Sequence, residues 1–149
     1  MKLSKDLREF VALLNSRKIK YLLVGGYAVA YHGLPRYTED IDFLIETSPE
    51  NAALVAAAVN DFGFAKPGLK PDDFRSPETV IQLGRAPNRI DLLTSVTAVS
   101  FGEAWKTKLE TELDGLPVWV ISKDLLVRNK LATGRGQDLA DVERIGAKK

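Results

Sequence analysis

The stretch LVGGYAVAYHGLPRYTEDIDFLIE at residues 23–46 constrains this chain more than any other. The run KYLLV at 20–24 has the length and composition of a buried strand and stops at Gly25-Gly26. Tyr27 to His32 is Ala-rich and predicts a short helix, ended by Gly33 and Pro35. IDFLIE at 41–46 alternates as a second strand. That alternation places Asp40 and Asp42 on one face and Ile41, Phe43 and Ile45 on the other, toward a core. Two carboxylates this close repel and raise each other's pKa. A fold accommodates such a pair at an exposed position or around a cation.

The remaining segments fit around this unit. Residues 4–17 predict a helix with Ser4 as N-cap and Leu7, Phe10, Val11 and Leu14 on one face. Pro49 opens a second helix, ENAALVAAAVNDFGF, with Gly63 near its end. Residues 66–78 hold three prolines and read as a loop. TVIQLG (79–84) and RIDLLTSV (89–96) read as strands, with a hairpin at Ala86-Pro87-Asn88. A Trp-containing stretch follows at 101–109, then a short strand, LPVWVIS (116–122). SKDLLVRNKLATG and RGQDLADVERIGAKK are helical and are divided by Gly134 and Gly136. The expected class is α/β (α+β): a small mixed sheet with flanking helices. With 149 residues and no interdomain linker, one domain is expected over 1–149, with a C-terminal helical segment at about 122–149.

Composition removes several chemistries. There are no cysteines, so disulfides, thiolate nucleophiles and Cys-ligated metals are excluded, and the single His32 rules out a His-rich metal site. A net charge of +1 gives no global attraction to nucleic acid or anionic membrane. The amphipathic N-terminus has no signal-peptide core, and no apolar stretch reaches the roughly 20 residues that span a bilayer. A soluble, cytoplasmic domain with no membrane partner is expected.

An oxygen-rich pair such as Asp40 and Asp42 suits Mg²⁺ or Mn²⁺. A third carboxylate is available at Asp91 in RIDLL, where Ile90 and Leu92 would face the core. Three convergent carboxylates match a two-metal phosphoryl-transfer site, whose ions lie about 3.5–4 Å apart. Gly25 and Gly26 let backbone approach a phosphate, and the following helix offers free N–H groups and a positive dipole end. A glycine pair alone is usually a turn, and a lone Asp-x-Asp is often an exposed edge. Together with Asp91 they favour function.

The Gly-Gly pair, its spacer of 13 residues and Asp-Ile-Asp, with a later lone Asp on a strand, resemble the DNA polymerase β-type nucleotidyltransferase superfamily. The string GGYAVAYHGLPRYTEDIDFLI resembles the small bacterial nucleotidyltransferases related to abortive-infection toxins of toxin–antitoxin systems, and it is also similar to antibiotic adenylyltransferases. LLVRNKLATGRGQDLADV resembles the late helical motif of these proteins, with Lys130, Arg135, Asp138 and Asp141 at its recurring positions. The resemblance implies a polymerase β-like fold and Mg²⁺- or Mn²⁺-dependent transfer of NMP from an NTP to an acceptor hydroxyl. Asp40, Asp42 and Asp91 would hold metal, and Gly25, Gly26, Arg36, Thr38 and Lys130 would bind the NTP. Gly26 stands where the family often has Ser, and the chain leaves little room for an acceptor-binding helical domain. The implied acceptor is tRNA or protein, with a cognate antitoxin and a homodimer as further partners. A small-molecule antibiotic acceptor is the alternative. A glycosyltransferase fits poorly, and a catalytically silent nucleotide- or partner-binding module would not need three repelling charges.

Other residues have plainer readings. His32 is expected as a cap or a packed side chain. Thr38 reads equally as a turn cap or as a hydroxyl beside phosphates. Asp138 is expected to cap the last helix or to pair with Lys130 or Arg135, without touching metal. Lys66, Lys70, Arg75, Arg85 and Arg89 form a scattered basic set, read as ordinary surface charge against an acceptor-binding patch. Trp105 and Trp119 read as core or interface.

Overall fold

A computed structural model describes residues 3–33, 38–63, 68–85 and 88–147. Six strands form one mixed sheet in the order β3-β4-β2-β1-β6-β5. The strands are β1 (Tyr21–Val24), β2 (Asp40–Ile45), β3 (Val80–Leu83), β4 (Arg89–Leu93), β5 (Leu109–Leu113) and β6 (Leu116–Val120). The helices are α1 (Lys5–Ser16), α2 (Gly25–His32), α3 (Pro49–Phe62), α4 (Phe101–Lys106), α5 (Lys123–Thr133) and α6 (Gly136–Ala147). β1 runs antiparallel to β2 and parallel to β6, while β2 runs parallel to β4. This is the mixed α/β architecture expected from the sequence.

Short polar residues start the helices. Ser4, Ser48 and Ser122 accept backbone N–H bonds from Leu7, Asn51 and Leu125, which caps α1, α3 and α5. Gly63 and Gly134 end α3 and α5 in the left-handed region. Within the stretch read as a loop, Pro71–Phe74 makes a 3₁₀ turn that buries Phe74. The Trp-containing stretch, given no element from the sequence, divides into α4 and β5. The strands β3 and β4 pair antiparallel as a hairpin, though Ala86 and Pro87 of its turn lie outside the described residues.

Ile41, Phe43 and Ile45 are fully buried, as their alternation requires. Phe43 packs edge-on to Tyr21 at 5.4 Å and lies 6.4 Å from Phe10 of α1, which in turn meets Phe62 of α3 at 5.5 Å. This aromatic stack holds α1 and α3 against β1 and β2. Asn51 fixes the two strands along their length. Its amide donates to the carbonyls of Lys20 and Glu46, and its oxygen accepts from Lys20 N–H. The register that carries Asp42 past Val24 is therefore pinned at the far end of the pair. Among the described residues, no helix is long and apolar enough to cross a membrane.

Candidate active site

Strand register assembles the site. In the parallel β2–β4 pair, Asp40 lies opposite Arg89 and Asp42 opposite Asp91. The period of two places all four on one face of the sheet. Asp40, Asp42 and Asp91 each bring a carboxylate oxygen within 4.8 Å of the others. Ile90 and Leu92 anchor Asp91 from the opposite face, and Asp91 itself is only 5% exposed. The three predicted carboxylates thus converge.

Their charge is the dominant electrostatic feature of the site. Burial, and then the neighbouring charges of Asp40 and Asp91, push the Asp42 carboxyl up to about 8. A side chain that sequence reasoning read as scattered surface charge lies against the cluster. Arg89 donates from Nε to Asp91 Oδ1 at 2.9 Å and from Nη2 to Asp91 Oδ2 at 3.1 Å. The same Nη2 reaches Asp40 Oδ2 at 3.3 Å. The signal was present in the sequence, because Arg89 and Asp91 are two apart on one strand and must share a face. Hard oxygen donors, an excess of negative charge and a stand-in cation supplied by the chain itself together fit a divalent metal.

Gly25 and Gly26 close the site from β1. Val24 is the N-cap of α2 and its side chain makes no capping bond, so the positive end of the helix dipole faces the carboxylates from the Gly25-Gly26 turn. The helix begins at Gly25, two residues earlier than its apolar composition indicates. Gly25 has φ +67°, and a Cβ there would overlap the Asp42 carboxylate, lying 2.8 Å from its Cγ. Glycine is thus required twice over, for the backbone turn and for the approach to Asp42.

One wall of a cleft of about 480 Å³ is built from Gly25, Gly26, Thr38, Glu39, Asp40 and Asp42. Thr38 donates to the Asp40 carbonyl at 2.9 Å and to its Oδ1 at 3.3 Å, so it is both a turn cap and a side chain that orients Asp40. Arg36, predicted beside it, lies outside the described residues, as does Lys66. The facing wall comes from α5, α6 and the turn between them, through Lys130, Arg135, Gln137 and Asp138.

Lys130 borders the cleft and is 8% exposed. Its ammonium lies 3.3 Å from Asp138 Oδ1 and 3.2 Å from Asp141 Oδ2, and both aspartates are fully buried. Asp138 fills both roles expected of it. It caps α6 by accepting from Arg135 N–H, and it pairs with Lys130 and with the Arg135 side chain at 2.7 Å. Thr133, unnoticed in the sequence, donates to it at 2.6 Å. Hydrogen bonds from Arg135 first, then Thr133 and Lys130, hold the Asp138 carboxyl far below the usual carboxylate range.

The remaining candidates are structural. His32 is buried, with Nε2 2.7 Å from the Ile121 carbonyl. Trp105 and Trp119 meet edge-on at 5.9 Å with Lys108 over both rings. A second cavity of about 460 Å³ lies between α2 and β5–β6, lined by Leu23, Tyr27, Tyr31 and Val118 among others, away from the carboxylates.

Comparison with known proteins agrees with this geometry. The family model described as "Nucleotidyltransferase of unknown function (DUF6036)" matches residues 1–147. A search of curated sequences gives no match. The fold is similar to lincosamide antibiotic adenylyltransferase LnuA bound to lincomycin, with TM-score 0.62 and 16% identity over 100% of both chains. It is similar to a putative nucleotidyltransferase from Thermotoga maritima, with TM-score 0.63 and 18% identity over 96% of this chain and 91% of that one. It also resembles ANT(2")-Ia in complex with adenylyl-2"-tobramycin, with TM-score 0.65 and 14% identity over 95% and 86% of the two chains. The chain belongs to the nucleotidyltransferase family whose model spans residues 1–147.

Proposed function

We propose that the protein transfers a nucleoside monophosphate from an NTP to an acceptor hydroxyl, with Mg²⁺ or Mn²⁺ held by Asp40, Asp42 and Asp91. The observation that carries this is the convergence of three carboxylates, within 4.8 Å of one another, opposite the Gly25-Gly26 turn. When bound, a divalent cation would neutralise polyphosphate charge and make the acceptor hydroxyl more acidic.

The chain supplies the rest. The acceptor oxygen forms a bond to the α-phosphorus as the bond to pyrophosphate breaks. Asp91, on the acceptor side, takes the hydroxyl proton. Gly25, Gly26 and the N-terminal end of α2 seat the outer phosphates. Thr38 orients Asp40, and Lys130 with Arg36 adds positive charge along the triphosphate. Positioning and charge neutralisation account for most of the rate. Residues 1–149 act as one domain, a reading supported by a single core cluster that runs from Leu3 to Ile145.

The acceptor divides two readings. The motif at Lys130, Arg135, Asp138 and Asp141 supports tRNA or protein, and with it a cognate antitoxin or a homodimer as partner. The likeness to LnuA over the whole of both chains favours a small hydroxylated antibiotic. Incubation with each α-phosphate-labelled NTP and Mg²⁺ tests both, offering total RNA, lysate protein, and lincosamides or aminoglycosides as acceptors. Label in an RNA or protein band supports the first reading. Label on an antibiotic supports the second. No transfer to any of them, with no metal-dependent NTP binding, would overturn the function.

A further inference from the structure

We propose that Arg89 is an exchangeable counter-cation of the carboxylate cluster, one that neutralises Asp40 and Asp91 in the metal-free protein and is displaced when a divalent cation loads. The inference rests on the metal-binding reading above and adds a residue to it.

The geometry carries the argument. Asp91 has two carboxylate oxygens, and Arg89 engages both. Asp40 has one oxygen on Thr38 and the other on Arg89. Of the three carboxylates, Asp42 is the one with no described contact to the guanidinium. A cation shared by all three must therefore take oxygens that Arg89 now holds, or lie against a fixed positive charge. The strand backbone fixes Asp40, Asp42 and Asp91, whereas the Arg89 side chain is 34% exposed and can swing into solvent.

The alternative role has the opposite sign. If Arg89 keeps its grip on Asp91 and orients it for the metal, removing Arg89 weakens metal binding. If Arg89 competes with the metal, removing it strengthens binding.

The test is Mn²⁺ affinity, measured by electron paramagnetic resonance or calorimetry without nucleotide, for wild type, Arg89→Met and Arg89→Lys. Because Arg89 is partly exposed, both variants are expected to fold, and circular dichroism checks this. Loss of a like charge beside the ion is expected to tighten Mn²⁺ binding by about tenfold or more in Arg89→Met. Arg89→Lys, which keeps a charge but not the bidentate fork, falls between. Without metal, Arg89→Met should melt lower than wild type, and Mn²⁺ should restore more of its stability than it adds to wild type. Equal or weaker Mn²⁺ binding by Arg89→Met than by wild type overturns the inference and leaves the metal site standing. Failure of all three proteins to bind Mn²⁺ overturns the metal reading and the inference with it.

Discussion

At the scale of single residues, Gly25 is where backbone and site chemistry meet. Its φ of +67° lies in the left-handed region, and a Cβ would overlap Asp42. Gly25→Ala should cost about 1–2 kcal/mol from the backbone alone. It should also displace the Asp42 carboxylate and suppress nucleotidyl transfer. Urea denaturation and label transfer together check this, and an active variant of wild-type stability would contradict it. Asp138 governs the facing wall. Asp138→Ala removes the cap of α6 and one of the two buried carboxylates that hold Lys130, with Asp141 still in place, and should cost about 1–3 kcal/mol. The Asp138 carboxyl is held below its ordinary value of 3.8, so its stabilisation is complete above about pH 4 and is lost as pH falls through the lower, folded-state value. Acid titration of wild type should show this loss, and Asp138→Asn should lack that part of the pH dependence. Asp40, Asp42 and Asp91 were legible because alternation in a strand fixes their face. Arg89 obeyed the same rule and was missed because its charge, taken without its strand neighbour, read as ordinary surface.

At the scale of elements, the β5–β6 hairpin shows what periodicity overlooks. LETEL is acidic and largely exposed, so it carries little hydrophobic signal. The signal lay in its turn. Asp114 and Gly115 both have positive φ, 51° and 80°, between Leu113 and Leu116, which pair across the two strands. An Asp-Gly pair between two extended runs is the composition that such a two-residue turn requires. Asp114 also accepts from the Leu3 N–H and lies 3.8 Å from Arg8, tying the hairpin to the N-terminal segment. Gly115→Val should destabilise the protein by about 1–2 kcal/mol, read from the urea midpoint, with transfer activity retained because the turn is remote from the carboxylates. The α-helices were far easier to read. Serine caps, a proline at the start of α3 and glycine stops bracket them within a residue or two. The exceptions were the start of α2, because glycines rarely open a helix unless the backbone itself is wanted there, and α4, whose six residues are too few to show a helical period.

At the scale of the molecule, the carboxylate cluster and the cleft beside it are assembled from segments far apart in sequence: the β1–α2 turn, the parallel strands β2 and β4, and the last two helices. No local pattern shows that β4 lies beside β2, and it is this adjacency that brings Asp91 to Asp42. The α5–α6 wall depends on the same long-range packing, with Ile145 fully buried and Asp138 and Asp141 closed over Lys130. Deleting residues 135–149 should strip Lys130 of both partners, lower the melting temperature and raise protease sensitivity. A truncated protein as stable and as active as the whole would contradict the one-domain reading. The most direct test of the central claim is label transfer from α-phosphate-labelled NTP by wild type and by Asp42→Asn, with circular dichroism confirming that both are folded. The account predicts Mg²⁺-dependent transfer by wild type and a loss of about a thousandfold or more in the variant. Equal transfer by a folded Asp42→Asn would contradict it.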